Sequence, residues 1–258
     1  VALIAAQAQR TRENARQGIE VAMQSANTSL NGYMSYLSGI IRSMRHNATL
    51  LSALRGEAVT AEVVNGQLEY CADLYSDQNL ALESVPFLSR LALFSNSNEL
   101  WSTRYYPLTQ TAILREDAAM RERMVAFRQS GEEMHWELNG DEAALLTLLY
   151  DDEFSMIACA AFVIDTAVID DVYGALQKYD GTLWGLCKKG QNVLYGSFER
   201  EADLSGLLRG EPFHGEAYLT NTQEMPFGIY AMAAVPAAQI DWLIRPTISS
   251  LLLIVLLI

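Results

Sequence analysis

The run MIACAAFVID (Met156–Asp165) sets the architecture of this chain. It is apolar at every position up to its closing aspartate, and a strand that is apolar on both faces is typical of the centre of a sheet. Two segments precede it, MHWEL (Met134–Leu138) and AALLTLLYD (Ala143–Asp151). The Asn-Gly turn between these two segments predicts a hairpin. We therefore expect an antiparallel sheet with Met156–Asp165 inside it.

A second hairpin lies upstream. FLSRLALFS (Phe87–Ser95) and ELWSTRYYP (Glu99–Pro107) flank the short turn NSN. The segment Thr111–Gln129 between the two hairpins has apolar residues at helical spacing. This order predicts five antiparallel strands over residues 87–165, followed by a helix over Thr166–Tyr179.

A smaller copy of the same order follows. Thr182–Gly196 reads as a hairpin, Glu201–Gly210 as a short helix, and Gly215–Gln223 with Phe227–Pro236 as two further strands. Turn residues separate these apolar runs, as expected for paired strands. The predicted fold class is therefore α+β, with two successive antiparallel-sheet units.

One long helix is predicted over residues 7–55, which lack proline and repeat apolar residues at alternating gaps of four and three. The repeat runs through Ile19, Met23, Ala26, Leu30, Tyr33, Leu37, Ile40 and Met44. Asn47 interrupts this seam, but Leu51 and Leu54 resume it. A second helix is predicted over Gly66–Glu83. Three interpretations of the seam are open: it lies along two stacked units, it meets the same seam of a second chain in a homodimer, or it packs only on its own domain.

Both ends of the chain are apolar. VALIAA occupies residues 1–6 and ISSLLLIVLLI occupies Ile248–Ile258. The second run is shorter than the ~20 residues that cross a bilayer, but it is saturated with Leu, Ile and Val without periodicity. We expect the end of one transmembrane helix at residues 1–6 and the start of another at 243–258, with the lipid bilayer as their partner. The alternative is a buried C-terminal helix of a soluble protein.

Composition narrows the classes of function. The net charge is −13, with 31 acidic against 18 basic residues, and this argues against nucleic acid as a partner because phosphate binding needs clustered Lys and Arg. The three cysteines and three histidines are far apart in sequence, without the spacing of a zinc site. No hydrolase, metalloprotease or nucleotide-binding motif is present. We expect no catalytic residue, metal site or cofactor in this segment.

Four stretches, taken in order, resemble a known family. They are LALFSNSNELW (Leu91–Trp101), the strand and helix of Ile157–Leu176, WGLCKKGQNVLY (Trp184–Tyr195) and FGIYAMAAVPAAQI (Phe227–Ile240). Between two apolar ends, this order is similar to a double Cache domain, the tandem PAS-like sensor region of bacterial transmembrane receptors. The sensor regions of Gram-positive histidine kinases are the most similar in style.

The resemblance implies a domain plan. The long helix at 7–55 would be followed by a membrane-distal PAS-like unit at 56–179 and a membrane-proximal one at 180–242. The domain would face the extracytoplasmic side of the cell membrane, bind a small molecule in the distal unit and relay a conformational change to the second transmembrane helix. The output domain would be a histidine kinase. Chemoreceptors and diguanylate cyclases carry the same module, and a non-sensing, membrane-anchored dimerisation or scaffold module is a further alternative.

Six residues are candidate ligand contacts, because aromatic rings with one or two charges suit a concave site for a polar ligand. They are Trp101, Arg104, Tyr106, Trp136, Tyr150 and Asp165. Amino-acid-binding members of the family use an Arg-x-Trp-Tyr motif, which is absent here, and an aspartate on the last strand, which Asp165 matches. Four of the candidates have an alternative role: Asp165 as a helix cap, Arg104 as the partner of a surface acid, and the two tryptophans as core.

Overall fold

A computed structural model of the chain describes residues 2–76, 87–105, 109–139, 142–151, 153–188, 193–199 and 202–256. The helices are α1 (Ala2–His46), α2 (Ala48–Leu54), α3 (Ala61–Ser76), α4 (Gln110–Ser130), α5 (Thr166–Gly174), α6 (Ser205–Leu208) and α7 (Ala238–Leu256). The strands are β1 (Leu88–Ser95), β2 (Leu100–Arg104), β3 (Met134–Asn139), β4 (Glu142–Tyr150), β5 (Met156–Asp165), β6 (Leu183–Lys188), β7 (Val193–Gly196), β8 (Tyr218–Met225) and β9 (Ile229–Pro236). The predicted α+β class, with a long N-terminal helix and two antiparallel sheets, is confirmed.

The chain divides into two compact units. Residues 32–169 form the five-stranded unit, and residues 1–31 with 170–258 form the four-stranded unit. Every predicted strand is present, but two predicted helices are longer than the structure has them. The helix predicted over Thr166–Tyr179 ends at Gly174, and the one predicted over Glu201–Gly210 is the single turn Ser205–Leu208.

The N-terminal helix differs from the single helix predicted over residues 7–55, because it ends at His46. Asn47 takes the extended backbone angles φ −82° and ψ 105°, and its side-chain oxygen accepts a hydrogen bond from Leu50 N at 3.1 Å. This is the geometry of a helix N-cap. The asparagine therefore starts α2 as a separate helix, and its amide also donates to Gln67 Oε1 of α3 at 2.8 Å.

The apolar seam of α1 is buried inside its own chain. All eight seam positions are covered, and the most exposed of them, Ala26, is only 5% exposed. This burial therefore disfavours the interpretation in which the seam packs against the same seam of a second chain. The exposed side of α1 is largely polar, with Val21 as its one large exposed apolar residue among those described.

The five-stranded sheet has the order β2-β1-β5-β4-β3, with every pair antiparallel. β5 is its middle strand, as its apolar sequence predicted, and residues 157–164 are all buried. Side chains alternate between the two faces of a strand. Helix α4 covers one face, which we call the α4 face. It packs Met120, Met124 and Phe127 against Ala92, Phe94, Ala144, Leu146, Leu148, Cys159, Ala161 and Val163.

The four-stranded sheet has the order β7-β6-β9-β8. A tight approach of two backbones at its edge requires Gly196, where φ is +143° and an added Cβ would lie 2.2 Å from the carbonyl oxygen of Trp184. Asn27 of α1 is fully buried in this unit. Its oxygen accepts from Tyr173 Oη at 2.7 Å, and its amide donates to Asn221 Oδ1 at 2.7 Å. This polar network links α1 to α5 and β8.

Helix α7 contains Pro246 and carries the apolar C-terminal run as far as Leu256. Across the helices that the structure describes, none combines the length and apolarity needed to span a membrane.

Candidate functional site

Two arginines face each other on neighbouring strands of the five-stranded sheet. Arg90 of β1 is the register partner of Arg104 of β2. Their side chains are only 4% and 12% exposed, and both lie on the α4 face. Two like charges placed opposite each other across a strand pair repel, and a buried guanidinium is costly unless it is paired. The arrangement is stable only with anionic partners close by.

Helix α4 supplies those partners through its second and third turns. Arg90 Nη2 donates to Asp117 Oδ1 at 2.5 Å, and Arg104 Nη2 donates to the same oxygen. Ser102 Oγ lies 3.4 Å from that oxygen as well. The neighbouring Glu116 accepts from Arg90 Nη1 through its backbone carbonyl, at 3.3 Å. We call Arg90, Arg104, Ser102, Glu116 and Asp117 the arginine cluster.

The cluster uses its donors unevenly. Three side chains converge on a single oxygen of Asp117. Arg104 Nε is buried and makes no hydrogen bond to any residue that the structure describes, and it lies 3.7 Å from Glu116 Oε2. A guanidinium offers its donors as a rigid fork that matches a carboxylate or phosphate in two-point fashion. The geometry is therefore that of an anion site with spare donor capacity.

Four of the predicted site residues lie outside the arginine cluster, in different parts of the five-stranded sheet. Trp101 and Trp136 are 6% and 7% exposed and lie on the face opposite α4, where the neighbouring Thr103 donates to Glu69 of α3 at 3.0 Å. They are core residues in this structure, which was the alternative interpretation. Tyr150 packs against the α4-face cluster but pairs with Met156, at the far end of β5 from Asp165. The structure does not bring Tyr150 and Asp165 together.

Asp165 acts as a helix cap. Its Oδ1 accepts a hydrogen bond from Ala167 N at 2.9 Å, so it caps the start of α5. Register places it two residues beyond Val163, the partner of Arg90, and therefore at the same end of the sheet as the arginine cluster. Arg104 is the one predicted residue that lies inside the cluster. Tyr106 lies outside the described residues.

Arg90, Glu116 and Asp117 were not among the residues predicted from the sequence. The available signal was the single arginine inside the otherwise apolar strand FLSRLALFS, because a charge in a buried strand needs a partner. The acid pair in the following helix was the available counter-charge. The presence of this arginine and these two acids in the sequence does not reveal which strand register and which helix turn bring them together.

The three cysteines are poorly placed for thiol chemistry. Burial raises the pKa of Cys159 to about 12 and that of Cys187 to about 11, so both thiols stay protonated near neutral pH and are poor nucleophiles. All three cysteines are free and buried. Within the described ranges, no group of three or more His, Cys, Asp or Glu side chains is placed to hold a metal ion.

Comparisons with known proteins concern the fold. No family profile and no curated protein sequence matches the chain. Among solved structures, an extracellular ligand binding receptor from Desulfohalobium retbaense aligns with a TM-score of 0.50 and 9% identity, over 84% of this chain and 40% of that one. This likeness supports the fold alone.

Two other solved structures align over most of both chains. The sensory domain of the Campylobacter jejuni chemoreceptor Tlp3, with isoleucine bound, has a TM-score of 0.48 and 11% identity, over 92% of this chain and 97% of that one. The extracellular domain of a protein assigned as a histidine kinase has a TM-score of 0.48 and 13% identity, over 90% and 95%. The similar structures are thus sensory and ligand-binding domains of receptors.

Proposed function

We propose that this chain is the extracytoplasmic ligand-sensing domain of a membrane signal-transduction receptor, and that its five-stranded unit binds a small molecule at the arginine cluster. The observation that carries the proposal is the pair of buried arginines on one sheet face, which share one oxygen of Asp117 while the buried Nε of Arg104 makes no hydrogen bond to any described residue. A buried guanidinium whose Nε lacks a hydrogen bond among the described residues, lying under a helix, suits specific recognition of a further polar ligand.

The course of the chain after the arginine cluster supports a relay of the ligand-induced shift through β5 and α5. β1 and β5 are paired at Arg90 and Val163, and β5 runs directly into α5 at Thr166. Tyr173 of α5 then bonds to Asn27 of α1 inside the four-stranded unit. We propose that ligand binding shifts β1 and β5, and that α5 passes the shift through the four-stranded unit to α7. Such a switch needs two states that differ in ligand affinity.

We further propose that the apolar runs at 1–6 and 243–258 enter the bilayer as parts of two transmembrane helices, and that the receptor is a sensor histidine kinase. The order of the four family-like stretches supports the receptor class, and a chemoreceptor or diguanylate cyclase would use the same domain. A homodimer through the N-terminal helix would use the exposed side of α1, because the seam is already covered.

A thermal-shift screen of the whole chain tests the sensing function. The library would contain amino acids, organic acids, sugars and amines, and the variants would be Arg104→Gln and, as a matched control, Arg123→Gln. Arg123 bridges α4 to Glu137 of β3 at 2.6 Å and is 24% exposed, outside the cluster. A ligand present at 100 times its dissociation constant stabilises the folded state by about 2.7 kcal/mol.

We expect a hit that the cluster variant loses and the control retains. Absence of any hit, with a cooperative melt for the unmodified chain, would favour the non-sensing scaffold module instead. A hit retained equally by both variants would place the ligand elsewhere in the fold.

A further inference from the structure

We infer that the arginine cluster is a site for a small carboxylate anion, and that Asp117 is a built-in counter-ion which holds the site until the ligand anion displaces it. This inference rests on the proposed sensing function and adds both a class of ligand and the group that the ligand replaces.

A ligand carboxylate could make more hydrogen bonds to the two arginines than Asp117 does. Both guanidiniums and Ser102 reach the same oxygen, Oδ1. A carboxylate has two oxygens and can accept from a fork through both. A ligand carboxylate that is not tethered to a helix can turn to use both oxygens and the buried Nε of Arg104. The internal anion is therefore a one-point contact that a two-point contact can replace.

Exposure sets the direction of entry. The side chains of Arg90 and Arg104 are 4% and 12% exposed, whereas those of Asp117 and Glu116 are 33% and 31% exposed. The arginines thus form the floor of the site and the acids lie nearer to solvent. An anion arriving from solvent meets the position of Asp117 first and replaces it without unfolding the sheet.

The first half of α4 is free to respond. No residue from 110 to 119 is buried, and Leu114 is 66% exposed. The buried residues of this helix, Met120, Met124 and Phe127, all lie in its second half. The half that carries Asp117 is therefore held to the sheet largely through the arginine cluster. Displacement of Asp117 releases this half while the second half stays packed, which converts binding of an anion into a local movement.

Calorimetric titration of the whole chain with sodium succinate tests the displacement, with acetate and inorganic phosphate as comparison anions at constant ionic strength. The variants are Asp117→Asn, which keeps the shape but removes the competing charge, and Glu137→Gln, which removes a carboxylate from the other ion pair between α4 and the sheet. We expect Asp117→Asn to bind a carboxylate about tenfold more tightly, as when one charge-assisted hydrogen bond stops competing. Glu137→Gln should bind as the unmodified chain does.

Binding of phosphate in preference to both carboxylates would overturn the ligand class. Equal affinity of the unmodified chain and Asp117→Asn, or no binding of any anion by either, would overturn the counter-ion. Either result would leave the sensing function standing if the broader screen gave a hit of another class that Arg104→Gln abolished.

A second measurement needs no variant and so does not depend on one folding. Amide hydrogen exchange of the unmodified chain is compared with and without saturating succinate. Residues 110–119 should exchange faster with the anion present, and residues 120–130 should not change. Slower exchange across the first half of α4 would show that the ligand fastens the helix rather than releasing it, and would reject displacement.

Discussion

Removing one hydroxyl from the four-stranded unit should destabilise it measurably. The change is Tyr173→Phe, which deletes the donor to Asn27 Oδ1 at 2.7 Å. Asn27 is fully buried, so its oxygen cannot turn to water. A buried acceptor left without a partner costs about 1–3 kcal/mol. The ring itself stays in place, stacked on Trp184 at a centroid distance of 4.6 Å, so packing should change little.

Urea unfolding followed by circular dichroism measures this loss, and Tyr195→Phe is the matched control. Tyr195 Oη donates to Asp170 Oδ1 at 2.8 Å in a partly buried pair. Asp170 can be solvated after the change, so the control should lose only about 0.5–1.5 kcal/mol. Equal losses for the two variants, or no loss for Tyr173→Phe, would show that the Asn27 oxygen reaches water in the folded state.

Four further predictions concern stability. Gly196→Ala should lower the free energy of unfolding. A strained backbone alone costs about 1–3 kcal/mol, and the loss here should be larger because the new Cβ would lie 2.2 Å from a carbonyl oxygen. Gly18→Ala, with open space around it on α1, should instead stabilise by about 0.5–1 kcal/mol; both are read from thermal melts. Asn47→Ala removes the cap of α2 and should cost about 0.5–2 kcal/mol, measured by urea unfolding. Burial raises the pKa of Cys159 from 9.0 to about 12 and that of Cys187 from 9.0 to about 11 in the folded chain. The free energy of unfolding should therefore be unaffected by these thiols below pH 9 and should fall above it, because only the unfolded chain readily loses these protons. In thermal melts at a series of pH values, replacement of both cysteines by alanine should make that fall smaller.

Much of the fold follows from local patterns. The apolar run of β5 predicts a central strand because both of its faces must be covered, and the structure places it third of five in the sheet. The hairpins on either side follow from turn residues a few positions apart. Such signals span fewer than about ten residues, so a single sequence carries them completely.

The break at Asn47 is a different case. The same asparagine was visible as an interruption of the seam, but the seam resumed at Leu51 and favoured one continuous helix. The outcome depends on two hydrogen bonds of its side chain, to Leu50 N and to Gln67 of α3. The second of these comes from a separate helix, and periodicity within α1 does not reveal it.

The candidate site was the least predictable part. Arg104 was predicted because charge beside aromatic residues suggests a ligand site. Its partner Arg90 depends on the register between β1 and β2, and a shift of one residue would send that side chain to the other face. Asp117 depends on how α4 lies across the sheet. Trp101 and Trp136, which were also predicted as site residues, lie outside the cluster for a similar reason, because strand parity points them away from α4.

The most direct test of the arginine cluster as the sensing site is the ratio of dissociation constants for one carboxylate ligand, measured by calorimetry on the unmodified chain and on Arg104→Gln. We expect the variant to bind at least about tenfold more weakly, the loss expected for one charge-assisted hydrogen bond, and Arg123→Gln to bind as the unmodified chain does. Equal affinities of all three proteins for the ligand would contradict the assignment of the arginine cluster as the sensing site.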